Sequence, residues 1–207
     1  MALYIIPIFN KYGQTRISPN IMGPFSHVPF MECNHAILSM KHNIDGKLIV
    51  NDSIYEFKNG QGYIEKDWGT SFPKTYLWCQ ANSFETSNCS LSFAVANIPF
   101  GLFSFRGFIC SFILDNKEYR FATYNNSKIK KQEITDTTVD ILLKKGKYSL
   151  NIKCDNVKGF ELLSPVKGDM KKPIWETIDS VINATLKERD KIIHSDTSIN
   201  AGLEIVI

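Results

Sequence analysis

Alternation of apolar and polar side chains with a period of two residues runs through most of this 207-residue chain. Stretches such as "SIYEF", "VDILL" and "KYSLNIKC" show it, and turn-forming Gly, Asn and Asp residues separate them. Successive side chains of a strand point to opposite faces, whereas an amphipathic helix needs a longer apolar spacing that is scarce here. The pattern predicts roughly ten strands at hairpin spacing, which is typical of an antiparallel all-β barrel or sandwich.

An up-and-down β-barrel fits this pattern best, because consecutive hairpins close most simply in that way and closure removes exposed edges. Asp45-Gly46 and Asn59-Gly60 carry the strongest hairpin signals, since these residues tolerate the positive φ of tight turns. The segment 97–114 is predicted as one long bent strand. The segment "TIDSVINATLKE" is predicted as a strand, with a short helix beginning after Pro173 as the alternative.

Charge and cysteine content argue against several classes of protein. The formal net charge of +3 arises from 24 basic and 21 acidic side chains spread along the chain, so we expect no nucleic-acid partner. Five cysteines without a C-x-x-C spacing, in a chain that opens without a secretory signal, predict reduced thiols in the cytoplasm. The most apolar window contains Arg106, so we expect no transmembrane segment, while peripheral contact with a membrane stays open.

The stretch "GYIEKDWGTSFPKTYLWCQANSF", residues 62–84, gathers side chains that are both bulky and polar. Strand alternation places Glu65 and Asp67 on one face with Tyr63. In the next strand a large amphipathic face alternates with a small apolar one; the large face carries Tyr76, Trp78, Gln80 and Asn82. We expect the amphipathic faces to line a cavity inside the barrel, because a half-polar dry interior costs stability. The alternative is that these groups satisfy one another.

The same stretch resembles the tocopherol cyclase family, through "GYIEKDWGTSFP" followed by "YLWCQANSF". The flanking segment "NIMGPFSHVPFMECNHAILSM" and the C-terminal "LLSPVKGDM…IWETI…AGLEIV" are also similar to the family, so the resemblance covers nearly the whole chain. It implies a lipocalin-like β-barrel. Members are usually longer before the "MGPFS" region, so residues 1–25 are expected to be a remnant or linker of an upstream half, and residues 26–207 the barrel domain of a two-barrel protein.

The resemblance also implies an activity on an amphiphilic phenol with a prenyl tail: cyclisation, or a related isomerisation or hydration. Ring closure needs a proton delivered to an alkene, and therefore a carboxyl group whose pKa is raised by burial. Glu65 and Asp67 lie about 6.6–6.8 Å apart along one face of the predicted strand, and two close carboxyl groups raise one pKa. Asp67 is the first choice for the acid, with Glu65 as its partner or as a structural ligand. The resemblance favours Glu65 instead, since some members of the family carry Asn at the position of Asp67.

Seven further residues are candidate substrate-binding groups in this interpretation: Tyr63, Trp68, Tyr76, Trp78, Gln80, Asn82 and Arg106. An aromatic ring of Trp68 or Trp78 can stabilise a carbocation, although both suit core packing equally well. Arg106, alone in an apolar stretch, is expected to pair with a buried acid such as Glu65 or Asp67, which would lower that acid's pKa.

No metal or cofactor is predicted. The four histidines are scattered without metal-ligand spacing, no nucleophile motif is present, and "GQGYIE" precedes a strand rather than a helix. Three hypotheses stay open: a cofactor-independent cyclase or related isomerase, a lipocalin-like binder of an apolar small molecule, and a barrel whose motif only stabilises the fold. An open cavity with a Glu65 or Asp67 carboxyl free of Arg106 would favour the first, and a filled interior the third.

Overall fold

The protein is described by a computed structural model that covers residues 3–5, 19–29, 31–86, 88–100, 103–155 and 158–207. In these ranges the chain forms antiparallel strands and two short 3-10 helices, at Gly23–His27 and Thr123–Asn125. The strands are β1 Leu3–Ile5, β2 Cys33–Val50, β3 Ser53–Gly69, β4 Tyr76–Ala81, β5 Cys89–Phe100, β6 Phe103–Leu114, β7 Lys117–Ala122, β8 Lys128–Ile134, β9 Thr138–Lys145, β10 Tyr148–Asp155, β11 Phe160–Val166, β12 Asp169–Glu188 and β13 Lys191–Val206. The all-β antiparallel prediction is confirmed.

The strands form two sheets. A ten-stranded sheet has the order β7-β6-β5-β4-β13-β12-β10-β9-β8, with β11 paired to the first part of β12, and a three-stranded sheet has the order β1-β2-β3. The larger sheet curves until its two ends approach each other: the Lys145 Nζ donates to the Arg120 carbonyl oxygen at 3.2 Å, and the rings of Tyr119 and Tyr148 are 5.3 Å apart. No ladder joins β7 to β8 in the described ranges, so the barrel is not closed.

The concave face of the ten-stranded sheet encloses the apolar core. Phe93, Phe112, Ile141 and Ile152 belong to it and are fully buried, and it continues across β4, β12 and β13. Leu77, Cys79 and Ala81 of β4 belong to this core, because alternation turns them away from Tyr76 and Trp78. The interior expected to hold a cavity is therefore packed with side chains, and any pocket on β4 has to lie on the opposite face of the sheet.

The first hairpin differs from the one predicted. β2 and β3 run the full length of the hairpin and turn at Asn51-Asp52, both with positive φ. Asp45-Gly46 and Asn59-Gly60 instead lie beside each other within the ladder, where the register shifts after Ile44, and the Asp45 carboxylate accepts from the Asn59 N–H at 2.9 Å. Residues that tolerate positive φ can form a β-bulge as well as a tight turn. At Asp45-Gly46 they form part of a bulge.

Two later predictions have opposite outcomes. The segment 97–114 is not one bent strand, because β5 ends at Phe100 and β6 begins at Phe103 as its antiparallel neighbour. "TIDSVINATLKE" is a strand, the C-terminal part of β12, and the helical alternative is wrong. Among the described residues, no helix has the length and apolar character that a membrane span requires.

Core packing predicts a large difference between two isoleucines of neighbouring strands. Ile152 of β10 is fully buried, whereas Ile178 of β12 is 75% exposed. Ile152→Ala should lower the free energy of unfolding by about 2–5 kcal/mol, since burial is lost and a cavity is left. Ile178→Ala should lower it by about 0.5 kcal/mol or less. Urea denaturation of both variants measures the difference, and equal losses would contradict this placement of the core.

Candidate functional site

A cavity of about 390 Å³ lies between the β2–β3 hairpin and the outer face of the ten-stranded sheet. Its lining is mostly apolar, with side chains from β5, β6, β11 and β12 and from the segments before β2 and after β3. The polar side chains of the wall come mainly from β2, β3, β4, β12 and β13, and they include His35, Glu65, Asp67, Tyr76, Trp78, Glu176 and Glu204. A large apolar volume with a few convergent polar groups is the usual form of a small-molecule site.

His35 and the two acids of β3 form the first polar cluster. His35 lies directly opposite Asp67 in the β2–β3 ladder, and its Nδ1 is 2.8 Å from the Asp67 Oδ1. Its Nε2 lies 3.8 Å from the Glu65 Oε2, too far for a hydrogen bond but close enough for strong charge interaction. Glu65 and Asp67 thus face the cavity together, and His35 stands between them.

Glu65 is fixed by two neutral donors. The Tyr63 hydroxyl donates to its Oε2 at 2.5 Å and the Trp78 Nε1 donates to the same oxygen at 3.1 Å. Tyr63 also contacts the Ser92 hydroxyl at 3.2 Å, which ties the hairpin to β5. Burial raises the pKa of Glu65, and this outweighs the nearby His35 and the two donors, which lower it. A raised pKa favours the protonated form of this carboxyl relative to an exposed glutamate.

The half-buried imidazole of His35 has one ring nitrogen that contacts Asp67 and a second one, Nε2, that is buried. Burial lowers the pKa of His35, but the hydrogen bond to Asp67 and the charges of Glu65 and Asp67 together raise it above its ordinary value. Its Nε2 is buried and makes no hydrogen bond within the described residues. A buried nitrogen of this kind usually has a ligand or water as its partner.

A second polar cluster lies on β4, β12 and β13. Glu204 stands opposite Trp78 in the β4–β13 ladder and accepts a hydrogen bond from the Tyr76 hydroxyl. Burial raises the pKa of Glu204 to about 7, helped by the charges of Glu176, Asp67 and Glu65 and opposed by the Tyr76 bond. Burial also raises the pKa of Glu176. The cavity therefore holds several carboxyl groups whose pKa values are raised, so ionisation of one disfavours ionisation of the others.

The remaining sequence candidates lie around the cavity rather than in its wall. Tyr63 acts through Glu65, and the Gln80 amide donates to the Asn82 Oδ1 at 3.0 Å, so these two amides bond to each other. Trp68 is 44% exposed with the Lys66 ammonium 5.6 Å from its ring, because alternation that turns Asp67 inward turns Trp68 outward.

Arg106 does not pair with either acid. It is exposed on β6 and donates to the Gln132 side chain of β8. The expected ion pair is wrong, because Arg106 lies near the edge where β6 approaches β8, whereas both acids lie on the hairpin that covers the sheet. The cavity carboxyls are thus free of this cation.

Sequence reasoning missed His35, Glu176 and Glu204. His35 would have followed from the ladder if the turn had been placed at Asn51-Asp52, since antiparallel partners share a face. Glu204 is opposite Trp78 only because β13 pairs with β4, a contact between distant parts of the chain that no local pattern encodes.

Donor atoms of His35, Glu65 and Asp67 lie within 4.8 Å of one another, so this cluster also has the composition to hold a divalent cation.

Comparison with known proteins gives a family match and several relatives. The profile of the family described as Tocopherol cyclase-like matches residues 2–206. A probable chloroplastic tocopherol cyclase of Oryza sativa subsp. japonica is 26% identical over 90 residues, which cover 44% of this chain and 19% of the relative. The chloroplastic tocopherol cyclase of Zea mays is 30% identical over 74 residues, 36% of this chain and 16% of the relative.

The matched regions thus span less than a fifth of the length of these curated relatives. Among solved structures, kievitone hydratase from Nectria haematococca is similar with a TM-score of 0.48 and 13% sequence identity. That alignment covers 86% of this chain and 55% of the hydratase chain.

Titration of Glu204 should appear in the pH dependence of stability. Its pKa is about 7 in the folded protein against an ordinary value of 4.5, so the folded state binds more protons between these values. The contribution of Glu204 to the free energy of unfolding is therefore full below pH 4.5 and falls as the pH rises towards 7. Glu204→Gln should remove this slope, measured by urea denaturation from pH 5 to 8. The exposed Glu161→Gln is the control, and identical slopes in all three proteins would contradict the raised pKa.

Proposed function

Because the chain belongs to the tocopherol cyclase-like family, we propose that it catalyses an acid-initiated reaction of a prenylated phenol or another isoprenoid amphiphile. Cyclisation is the reaction that we put first, with hydration or isomerisation of the same alkene as related outcomes. The observation that carries the proposal is the cluster of His35, Glu65 and Asp67 in the wall of an apolar cavity. A proton donor, a proton acceptor and room for a lipophilic substrate are thereby adjacent.

Glu65 is the proposed proton donor. Its raised pKa allows the carboxyl to carry a proton, and both of its recorded hydrogen bonds end on Oε2, which fixes the orientation of the group. Protonation of the prenyl alkene forms a carbon–hydrogen bond and leaves a tertiary cation. Trp78 lines the cavity beside Glu65, and its ring face can stabilise that cation while its Nε1 remains bonded to the acid.

His35 is the proposed proton acceptor, and Asp67 orients it. With Nδ1–H donating to Asp67, the neutral imidazole presents its lone pair at Nε2, the nitrogen without a partner in the described residues. The phenol oxygen attacks the cation and its proton passes to Nε2. Nε2 then returns the proton to the Glu65 carboxylate once the two groups close from 3.8 Å to hydrogen-bond distance in the complex, which restores the starting protonation state. The substrate is isomerised without net loss or gain of protons.

Water in place of the phenol oxygen would give the hydrated product through the same two groups. Which oxygen attacks depends on how the phenol is held against His35. Tyr76 and Glu204 lie at the same polar side and can bind a second oxygen of the ring, while the apolar remainder of the cavity takes the prenyl tail.

Non-enzymatic binding of an apolar molecule is the second candidate. It is favoured by the mostly apolar lining and by the pairing of Asp67 with His35, which neutralises one of the acids. A binder would retain the ligand unchanged, so only chemistry on the bound molecule separates the two candidates.

Exchange with solvent gives the direct test of catalysis. A panel of prenylated hydroquinones and phenols is incubated in D₂O, and products are analysed by mass spectrometry and NMR. Cyclisation should place one non-exchangeable deuterium on the former alkene carbon, and hydration should add one water as well. Glu65→Gln and His35→Gln should each lower turnover by about 10²–10⁴-fold.

Arg106→Gln serves as the control, because Arg106 is exposed and bonds to Gln132. It should leave turnover unchanged. Ligand retention without deuterium incorporation across the panel would favour the binder. Full turnover in both Glu65→Gln and His35→Gln would refute the proposed acid and base.

Access for a lipophilic substrate is proposed along the β11–β12 hairpin, through peripheral contact with an anionic membrane. Leu163 and Met170 of this hairpin line the cavity yet are 50% and 59% exposed, and Phe160 is 78% exposed. Its turn is held by the Gly168 N–H bond to the Thr70 carbonyl at 2.7 Å. Lysines 158, 167 and 172 lie in or beside it, and Lys171 is paired with Asp169. Apolar side chains flanked by lysines suit a negatively charged lipid surface.

Vesicle sedimentation checks this contact. The protein should sediment with phosphatidylcholine vesicles that contain phosphatidylglycerol, and less with phosphatidylcholine alone, because the lysines add attraction to anionic lipid. Phe160→Ser should weaken binding. Ile54→Ser is the matched control, since Ile54 is 61% exposed on the other long hairpin. Equal binding by the two variants would contradict the assignment to β11–β12.

A further inference from the structure

A second cluster of chemically reactive side chains lies on the core side of the ten-stranded sheet, away from the cavity. Cys89 is the first residue of β5, and His194 and Asp196 alternate along β13, so the latter two share a face. One donor atom from each of the three residues lies within 4.8 Å of the other two. β4, which separates β5 from β13 elsewhere, ends at Ala81, and this leaves the space in which the three groups meet.

The surroundings hold these groups in place. Cys89 is 1% exposed and Asp196 is 6% exposed. The two carboxylate oxygens of Asp196 accept from the backbone N–H groups of Thr86 at 3.1 Å and Thr197 at 2.8 Å. The imidazole of His194 lies against the Phe112 ring, 6.1 Å between centroids. Ligand groups held by such outer contacts are a regular feature of metal sites.

We propose that Cys89, His194 and Asp196 bind a zinc ion. A thiolate, an imidazole and a carboxylate are the three ligand types that Zn²⁺ takes in proteins, at about 2.3, 2.0–2.1 and 2.0–2.2 Å. Tetrahedral geometry at these lengths places ligand atoms about 3.5 Å apart, so closure from within 4.8 Å needs side-chain rotation rather than backbone rearrangement. The sulfur ligand selects zinc over magnesium and calcium.

The energetic argument for a dication is the combined negative charge of a carboxylate and a thiolate in the core. A charge removed from water is costly unless it is compensated, and a dication bound by a carboxylate and a thiolate compensates it fully. Three protein ligands leave a fourth tetrahedral position for water. Cys89 also borders a separate, more polar cavity of about 350 Å³ between β2 and the sheet.

The metal would stabilise the fold at this place. It would link β5 to β13 beyond the end of β4, where the loop that joins β4 to β5 crosses over and the Glu85 N–H bonds to the Thr197 carbonyl at 2.9 Å. The site shares no residue with the cluster of His35, Glu65 and Asp67, so it stands independently of the proposed catalytic activity.

Cobalt substitution tests the assignment. The protein is treated with a chelator under reducing conditions and titrated with Co²⁺, whose bond to a thiolate gives a near-ultraviolet charge-transfer band. Wild type should bind one equivalent with this band, and zinc should displace it. Cys89→Ala should lose the band and bind at least 100-fold more weakly. Cys110→Ala, at another buried cysteine, and His35→Gln, in the other cluster, should both keep it.

Three outcomes would overturn the site: no thiolate band in wild type, a band that survives in Cys89→Ala, or cobalt binding that only His35→Gln abolishes. If circular dichroism shows that Cys89→Ala is unfolded, the cobalt titration is repeated with Asp196→Asn. This variant keeps one side-chain oxygen as an acceptor but weakens metal binding, so unchanged cobalt affinity would refute the proposal. Zinc should also raise the melting temperature of wild type and not that of a variant that has lost the site.

Discussion

The covering of the outer sheet face by the β2–β3 hairpin is the contact on which the site depends. The ten-stranded sheet uses its concave face for the core, so a pocket can form only where another layer stands over the opposite face. The hairpin provides this layer, and the Tyr63 contact with Ser92 attaches it to β5. Bulges bend the hairpin along its length, which is how one long ladder follows a curved sheet.

Electrostatics inside the cavity follow from the same layering. The hairpin brings His35, Glu65 and Asp67, and the sheet brings Glu176 and Glu204, so the acids from the two layers face one another in a mostly apolar space. Burial raises the pKa of three of these carboxyls, and the shared charges couple their titration. His35 lies at the centre of this arrangement, and its protonation depends on the acids around it.

Much of the fold and part of the site could be predicted from local pattern. Alternation placed Glu65 and Asp67 on one face, put Tyr76 and Trp78 together on the large face of the next strand, and assigned the small face of β4 to packing. The placement of the first hairpin turn at Asp45-Gly46 was wrong, because residues suited to positive φ occur in bulges as well as in turns. That error concealed the pairing of His35 with Asp67. Local pattern also failed for Arg106, because a lone charge in an apolar segment does not reveal which strand edge it reaches.

The sequence by itself determined the strand periodicity, the antiparallel class, the family and the identity of the acidic motif, because these reside in neighbouring residues. Tertiary structure decided which side of the sheet holds the cavity, since the side chains on both faces of β4 are suited to burial. It also decided the partners of each acid. His35, Glu204 and the group of Cys89, His194 and Asp196 come together only through strand pairing and sheet curvature, which join residues that are far apart along the chain.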